Sequence, residues 1–473
     1  MFDSFLANIQ YFIAAYAILV TFSYGIQALC ASVLINKYVN KKKNLDETTM
    51  LQSHYLPSMA LVAPAFNESV VVTQSVRSLL TVHYFNLEII VVNDGSTDDT
   101  LAKLIKEFSL EKKEIVSYHS ITTQPVRGLY KSTKPAYKNL TVVDKVNGRK
   151  ADAINVGINH SLADYYAVID LDCLLEPNAL LMMVEPILQS SEKKVVAVGG
   201  VIGAANDSEV MKGKFLTAKT PKNFFAKTQI VEYVRAFIFG RTSWNSFNGM
   251  MLISGALGLF ERETLIAVDG FSPAAVGEDM DLVMKMHRYC KEKRIPYKID
   301  FVPYPLCWTE VPEDPVILAS QRNRWMRGTI ECMIKFRKMC LNPKYGVIGM
   351  ISYPYWLFGE MLAPLLEFFG LFFIIFLASQ GIVNWAFALS IVILLYLLAL
   401  INSISALMVY YINFKKYATF SDLLGLFLTA AIEPFIYHPR CVWWGLKGHW
   451  DFFIRKKKGW GIMRRVGFNS ETA

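Results

Sequence analysis

The placement of the apolar stretches constrains this chain most. One runs from about Tyr11 to Ile35, a long polar-balanced middle follows, and a second apolar region begins near Ile348. About 20 apolar residues in a helix cross a bilayer core, and the first stretch is long enough. Its start, Met1-Phe2-Asp3-Ser4, has no basic residue, and Lys37, Lys41, Lys42 and Lys43 come after it. A secretory signal has a basic start, a shorter apolar core and a small-residue cleavage site, so this stretch reads as a retained anchor. The positive-inside rule places those lysines, and the middle region, in the cytoplasm. With 53% hydrophobic and 19% charged residues, the chain is too apolar for an ordinary soluble enzyme.

The seven cysteines, Cys30, Cys173, Cys290, Cys307, Cys332, Cys340 and Cys441, show no Cys-x-x-Cys spacing. That argues against a zinc site or a disulfide framework and fits free thiols in a reducing cytosol. The net charge of +9 raises nucleic acid as a partner, but no aromatic-basic surface motif accompanies it. The lysines and arginines flank apolar stretches instead, so a lipid bilayer with anionic headgroups is the expected partner and no nucleic acid is.

From about Leu56 to Met339 the pattern alternates between strand and helix. Met59 to Pro64 and Leu87 to Val92 are short, nearly continuous apolar runs. Between them, Glu68 to His83 has helical spacing at Val72, Val76 and Leu79. Tyr165 to Leu171 and Lys194 to Val201 read as further strands. Such runs alternating with helices predict an α/β domain with a parallel sheet buried on both faces. An open sheet of this kind binds its ligand beyond the carboxyl ends of its strands. Asn93-Asp94-Gly95-Ser96 and Asp170-Leu171-Asp172 both fall there.

Four signatures, with Lys150 beside them, carry chemistry. Asp94 is placed to accept hydrogen bonds from a base or ribose, although its stretch is equally a loop signal. Asp170 and Asp172 offer the oxygen ligands that Mg2+ or Mn2+ takes beside substrate phosphates; two solvated aspartates ending a strand look the same. Lys150, in Gly148 to Ala153, fits a phosphate or pyrimidine contact, or a solvated lysine at a helix start. Glu278-Asp279 follows the Gly-rich passage Ile253 to Phe260. Asp279 is the candidate base that takes a proton from an attacking hydroxyl, against the plainer reading of an acidic helix start favoured by the dipole. In Gln321-Arg322-Asn323-Arg324-Trp325, Arg324 suits bidentate diphosphate binding and Trp325 offers a face on which a sugar ring can stack. The order and strand-end placement of the four weigh more than any one alone: they point to nucleotide-sugar transfer at a membrane, with inversion in one step.

The order of these motifs resembles the processive family 2 glycosyltransferases, which include the synthases of cellulose, hyaluronan, chitin and poly-N-acetylglucosamine. The matching stretches are Val62 to Glu68, Asn93 to Ser96, Lys150 to Asn155, Asp170 to Asp172, Glu278-Asp279 and Gln321 to Trp325, within roughly Pro57 to Gly328. The resemblance implies a GT-A-type open-sheet domain flanked by transmembrane and interfacial helices. It implies a UDP-sugar donor held by Asn67, Glu68, Asp94, Lys150, Asp152, Asp170 and Arg324, and Mg2+ or Mn2+ at Asp172 beside Asp170. It implies a polysaccharide acceptor at Ser254, Gly255, Glu278, Gln321 and Trp325, and Asp279 as base. Glu232 to Phe237 and Cys307 to Asp314 resemble a bacterial subgroup of no settled product. Two departures stand out: the family's Thr-Glu-Asp is Gly277-Glu278-Asp279 here, and Asn93 stands where many members have an aspartate.

The expected plan is an anchor over 1–45, a cytoplasmic transferase domain over 55–340, interfacial and transmembrane helices over 345–440, and a basic tail over 441–473. Ile348 to Ser379 reads as an interfacial helix leading into a span, and Ile382 to Tyr411 as a span back to Lys415-Lys416. Phe420 to Tyr437, interrupted by Glu433-Pro434, reads as a span, a re-entrant helix or an interfacial one. Glu360, Glu367 and Glu433 sit in apolar surroundings, where a carboxylate must face protein or water. They form either a polar track for a sugar chain or helix–helix contacts. Lys458 to Arg465 resembles the Trp-Gly gating segment of hyaluronan and chitin synthases, which would bring Trp460 and Arg464 over bound nucleotide; a basic interfacial anchor is the alternative. The expectation is a multi-pass cell-membrane enzyme, alone or with a second copy or an export partner. The alternatives are a non-processive transferase loading one sugar onto a lipid carrier and a non-catalytic scaffold.

Overall fold

The computed structural model describes residues 2–42, 55–119, 121–211, 214–417, 419–457 and 459. Twelve strands form in the middle of the chain: β1 (Met59–Ala65), β2 (Leu87–Asn93), β3 (Leu110–Lys113), β4 (Val126–Ser132), β5 (Leu140–Lys145), β6 (Tyr165–Ile169), β7 (Leu174–Leu175), β8 (Lys194–Ala204), β9 (Glu209–Met211), β10 (Lys214–Thr217), β11 (Leu257–Glu261) and β12 (Tyr297–Thr309). Ten of them make one open sheet in the order β3-β4-β5-β2-β1-β6-β11-β8-β12-β7. The apolar runs read from sequence are β1, β2, β6 and β8; β5, which was not read from sequence, joins β2, β1 and β6 in a parallel centre, β5-β2-β1-β6. The sheet as a whole is mixed. β11 lies antiparallel between β6 and β8, and β3, β4 and β7 are antiparallel additions. The Gly-rich passage before β11 makes a turn closed by Leu257 N–H on Ser254 O at 3.1 Å, which sends the chain back along β6.

Register positions the site. Ala65 of β1 lies opposite Asn93 of β2, and Asn93 lies opposite Asp144 of β5. The residues that follow, Asp94 and Lys145, therefore sit side by side at one edge of the sheet. The helix expected over Glu68 to His83 is confined to Val72–Leu79, because the Glu68 carbonyl takes the Val71 and Val72 N–H groups in a turn.

The helices that shape the site are α1 (Phe2–Lys42), α2 (Arg149–Asn159), α3 (Phe224–Val234), α4 (Glu278–Glu292), α5 (Pro315–Lys335), α6 (Ala363–Ser379), α7 (Trp385–Phe414), α8 (Phe420–Ile436) and α9 (His438–Phe453). A π-helical turn, Arg235–Arg241, continues α3. Among the described residues, Ala15–Lys41 within α1 and the whole of α7 are each long and apolar enough to cross a membrane. Two further pairs, Ile348–Met361 with α6 and α8 with α9, pass the same test but bend by 49°. The first bend breaks Ile348–Ser379 into two helices, the form of a broken span or a re-entrant loop. The second puts a helix where a basic tail was expected: Gly445 and Gly448 of α9 lie against Pro364 and Met326, so close that a Cβ on either would clash. Ala31 and Ile35 of α1, and Ala406 and Leu407 of α7, belong to the same buried apolar core as the sheet.

Candidate active site

At the sheet edge Asp94 is buried and held on three sides. Lys145 Nζ donates to its Oδ1 at 2.6 Å, Gly148 N–H to the same atom at 2.9 Å, and Asn147 Nδ2 to its Oδ2 at 3.2 Å. Lys145 also meets Asp152 Oδ1 at 2.6 Å, and Asp152 accepts from the Gln124 N–H. A buried lysine between two buried carboxylates is a compensated arrangement in which removing one member leaves an unpaired charge. Asn67 sits in a left-handed conformation with φ 57° and takes the Thr97 N–H on its side-chain oxygen at 2.8 Å, while Glu68 N–H donates to Thr100 Oγ1 at 2.9 Å. Asn67 and Glu68 thus tie the loop after β1 to the one after β2, Asp94 and Asp152 share Lys145 at the end of β5, and none of the four lines the main cavity.

That cavity, about 1750 Å³, brings together Lys150, Asp170, Asp172, Ser254, Gly255, Glu278, Asp279, Gln321, Arg324 and Trp325. β6 ends at Ile169, so Asp170 and Asp172 stand in the turn beyond it, which Cys173 N–H closes on Asp170 O at 3.0 Å. Lys150, from the first turn of α2, pairs with Asp170, donates to Gly255 O at 3.1 Å, and lies 3.8 Å from Glu278. Burial opposes its charge, but Asp170 and Glu278 outweigh that and raise its pKa. Asp279 accepts from Gly255 N–H on Oδ2 at 3.2 Å and from Met280 N–H on Oδ1 at 2.8 Å. Gly255 is closely approached: a Cβ would stand 3.2 Å from Lys150 Nζ and 3.6 Å from Asp279 Oδ2, so the lysine would have to give by a few tenths of an ångström. Burial pushes Glu278 up to about 7, with Lys150 pulling down and the neighbouring Asp279 pushing further up. Of two adjacent carboxyls, Glu278 therefore holds a proton well above the usual range, beside an Asp279 oriented by two backbone donors.

Gln321, Arg324 and Trp325 come from α5. Gly277, just before α4, meets Gly328 of α5 backbone to backbone; a Cβ at 277 would stand 3.1 Å from Gly328 Cα. This contact fastens Glu278-Asp279 to the helix of the basic-aromatic signature, and it gives a steric reason for glycine where the family has threonine. Gln321 Oε1 is buried with no hydrogen-bond partner among the described residues. Arg322 grips Glu232 of α3 with two hydrogen bonds of 2.6 and 2.8 Å and stacks 4.2 Å from the Trp325 ring centre. Burial opposes the charge of Arg322, yet Glu232 raises its pKa well above the ordinary value.

The same cavity continues between the apolar helices. Arg235 pairs with Glu433 of α8 at 2.5 and 2.7 Å and donates to Ser403 of α7 at 2.7 Å. Glu367 meets His438 at 2.7 Å, and Glu360 and Asn402 also face the space. Of the proposed polar track, Glu360, Glu367, Glu433, Asn402 and Ser405 line the cavity, while Ser403 serves Arg235. Trp460 and Arg464 lie outside the described residues. The segment before them is held on α5: Arg327 donates to Lys457 O at 2.8 Å and to Gly459 O at 3.1 Å.

Sequence reasoning missed Lys145, Glu232, Arg235 and Arg241 as site residues. Glu232 and Arg235 stood in a stretch noted for its resemblance, and their i, i+3 spacing put both on one helix face. Their partners Arg322 and Glu433 are far away in sequence, which no local pattern reveals. The described residues contain no group of three or more His, Cys, Asp or Glu placed to hold a metal. Two carboxylates suffice for magnesium or manganese that takes its remaining ligands from phosphates and water, so Asp170 and Asp172 fit that sparse role.

Comparison with known proteins places the chain in a family. Residues 57–328, more than half of the chain, match the family described as Glycosyltransferase like family 2, and the chain belongs to it. Residues 274–466 also match a chitin synthase family. Among curated relatives, a poly-beta-1,6-N-acetyl-D-glucosamine synthase of Staphylococcus epidermidis is 26% identical over 298 residues, covering 62% of this chain and 60% of the relative. The protein of that name from Staphylococcus aureus strain COL is 26% identical over 299 residues, covering 63% and 59%. The match therefore spans about three fifths of those relatives' length. A mannosyltransferase of Pyrobaculum calidifontis, solved in complex with GDP-Man and Mn2+, superposes with a TM-score of 0.52 at 17% identity, covering 89% of this chain and 98% of that one. At that identity the likeness establishes the fold, a GT-A-type glycosyltransferase sheet.

Proposed function

We propose that this chain is a membrane-embedded, inverting glycosyltransferase that moves hexosyl or N-acetylhexosaminyl units from a UDP-sugar to a growing polysaccharide and passes the product into its own helical bundle. The observation that carries the reading is the single cavity, which begins at Lys150, Asp170 and Asp279 and ends among α1, α7 and α8. The relatives' names favour N-acetylglucosamine as the unit.

In this reading Asp94, Asn67, Glu68 and Asp152 shape the uridine end, and Lys150 and Arg324 neutralise the diphosphate. A divalent metal on Asp170 and Asp172, when bound, spreads the charge of the leaving diphosphate. Asp279 takes the proton from the acceptor hydroxyl as that oxygen attacks the anomeric carbon. Protonated Glu278 beside it can donate a hydrogen bond to substrate without adding a second negative charge. Gln321, Ser254 and Gly255 border the acceptor, and Trp325 supplies the stacking face. Beyond Trp325 the aromatic and paired polar side chains offer a sugar chain hydrogen bonds with little net charge. The transferase region then lies on the cytoplasmic side of a multi-pass cell-membrane protein.

The test is a screen of UDP-sugars with the full chain in detergent and manganese, reading UDP release and product length on a gel. One UDP-sugar is expected to give a ladder of long products. A single sugar on a lipid carrier would replace the processive reading with the non-processive one, and no release from any UDP-sugar would remove the catalytic reading.

A further inference from the structure

One cation in the cavity has no role in the scheme above. Arg241 ends the π-helical turn Arg235–Arg241 and lines the cavity with Glu278, Asp279 and Trp325. Its guanidinium stacks on the buried Phe237 ring, 4.0 Å from the centroid. No carboxylate or carbonyl accepts from it among the described residues, and its Nη1 is buried without a hydrogen-bond partner. The other arginines of this wall are engaged: Arg235 with Glu433, Arg322 with Glu232. Burial draws the Arg241 pKa down to about 10, and Asp279 partly restores it, so the group stays charged at neutral pH. A buried guanidinium N–H with no acceptor is costly, and such groups mark places where a ligand completes the hydrogen bonding. π-helical turns are also over-represented at functional sites.

Resting on the function proposed above, we infer that Arg241 is an acceptor-positioning residue, whose unpaired edge donates to an oxygen on the terminal sugar of the acceptor while Asp279 takes the proton from the attacking hydroxyl. Two features point to the acceptor side. In the function proposed above Lys150 and Arg324 already serve the diphosphate, and Arg241 ends the π-helical turn that continues α3, with Trp244 in the helical turn that follows also lining the cavity. An arginine has five donors and no acceptor, so with its face occupied by Phe237 its edge reads ring, hydroxyl or amide-carbonyl oxygens.

The experiment uses the full chain in detergent, with UDP-N-acetylglucosamine as donor and an N-acetylglucosamine trisaccharide as added acceptor. Trisaccharide binding is read by quenching of tryptophan fluorescence, since Trp244 and Trp325 face the cavity. Arg241→Ala is expected to weaken trisaccharide binding and raise the acceptor KM by about ten- to a hundred-fold, the loss of one charged hydrogen bond, with the donor KM unchanged. Arg241→Lys restores part of the loss and Arg241→Gln less, and this ranking decides the matter should the alanine variant fail to fold. Unchanged acceptor binding in a variant that melts like the wild type overturns the inference, as does an equal rise in donor KM or no trisaccharide binding by the wild type. Absence of UDP release by the wild type, by contrast, strikes the proposed function, because binding is measured separately.

Discussion

The two ends of the cavity handle charge differently. At the sheet end Asp170 and Glu278 compete for one lysine, and Glu278 sits so deep that its pKa rises to about 7. In the helical half the acids are mostly matched: Glu232 with Arg322, Glu433 with Arg235, Glu367 with His438. Glu360 is the exception, with no ion pair among the described residues. A region left electrostatically incomplete is prepared to receive a charged ligand and to move a proton, since perturbed carboxyls cluster where chemistry is done. A region whose charges cancel presents polar atoms without strong net attraction, which suits a chain that must slide. On the function proposed above, the contrast goes with chemistry at one end and passage at the other.

The largest blow to that contrast should come from Asp279→Asn. Losing a general base costs about 10²- to 10⁴-fold in rate, and UDP release should fall by that much while donor binding, read by calorimetry, persists; an unchanged rate would sink the role of Asp279. Next, Arg322→Ala leaves Glu232 without its cationic partner, with only the Tyr437 hydroxyl still donating to it. Its expected cost is about 3 kcal/mol, the lower end for breaking a buried pair, seen as a lower melting temperature, with shorter products because the Trp325 stack is lost as well. Gly277→Thr restores the hydroxyl found in the family but forces a side chain against Gly328. Overpacking of this kind costs about 1–3 kcal/mol, so activity should drop; higher activity would show that the glycine contact is dispensable.

A subtler effect concerns pH. Glu278 has a folded pKa of about 7 against an ordinary 4.5, so the folded chain binds that proton more tightly than the unfolded chain. Its contribution to stability is therefore fully present below about 4.5 and is lost as pH rises through about 7. Melting temperature should fall across that window in the wild type and fall less in Glu278→Gln; parallel curves would deny the shift. The smallest expected effect on UDP release belongs to Arg235→Gln, whose guanidinium serves Glu433 and Ser403 of the apolar helices, where chain length should shorten while the initial rate holds.

Much of the transferase end was legible in the sequence because strand ends write their residues as local motifs. Asp94, Asp170 and Asp172 follow apolar runs, and Glu278-Asp279 starts a helix with the acids its dipole favours. The mixed character of the sheet was not legible, since β11 follows a turn whose direction depends on the gap between β6 and β8. The passage end was harder still. Arg235 and Glu433 meet only after α3 and α8 have packed, and hydropathy does not encode the 49° bends, each of which comes just before a helix with a proline in its first turn, Pro364 or Pro439. Nor could composition show that Arg327 ties residues 457 and 459 to α5.

The claim that one cavity joins transfer to passage is tested most directly in sealed, inside-out membrane vesicles carrying the full chain, fed UDP-sugar from outside. The account predicts that long product accumulates in the lumen, resisting an added glycosidase until detergent opens the vesicles. Product that is digested completely in intact vesicles, or that never exceeds one sugar on a lipid, would contradict it.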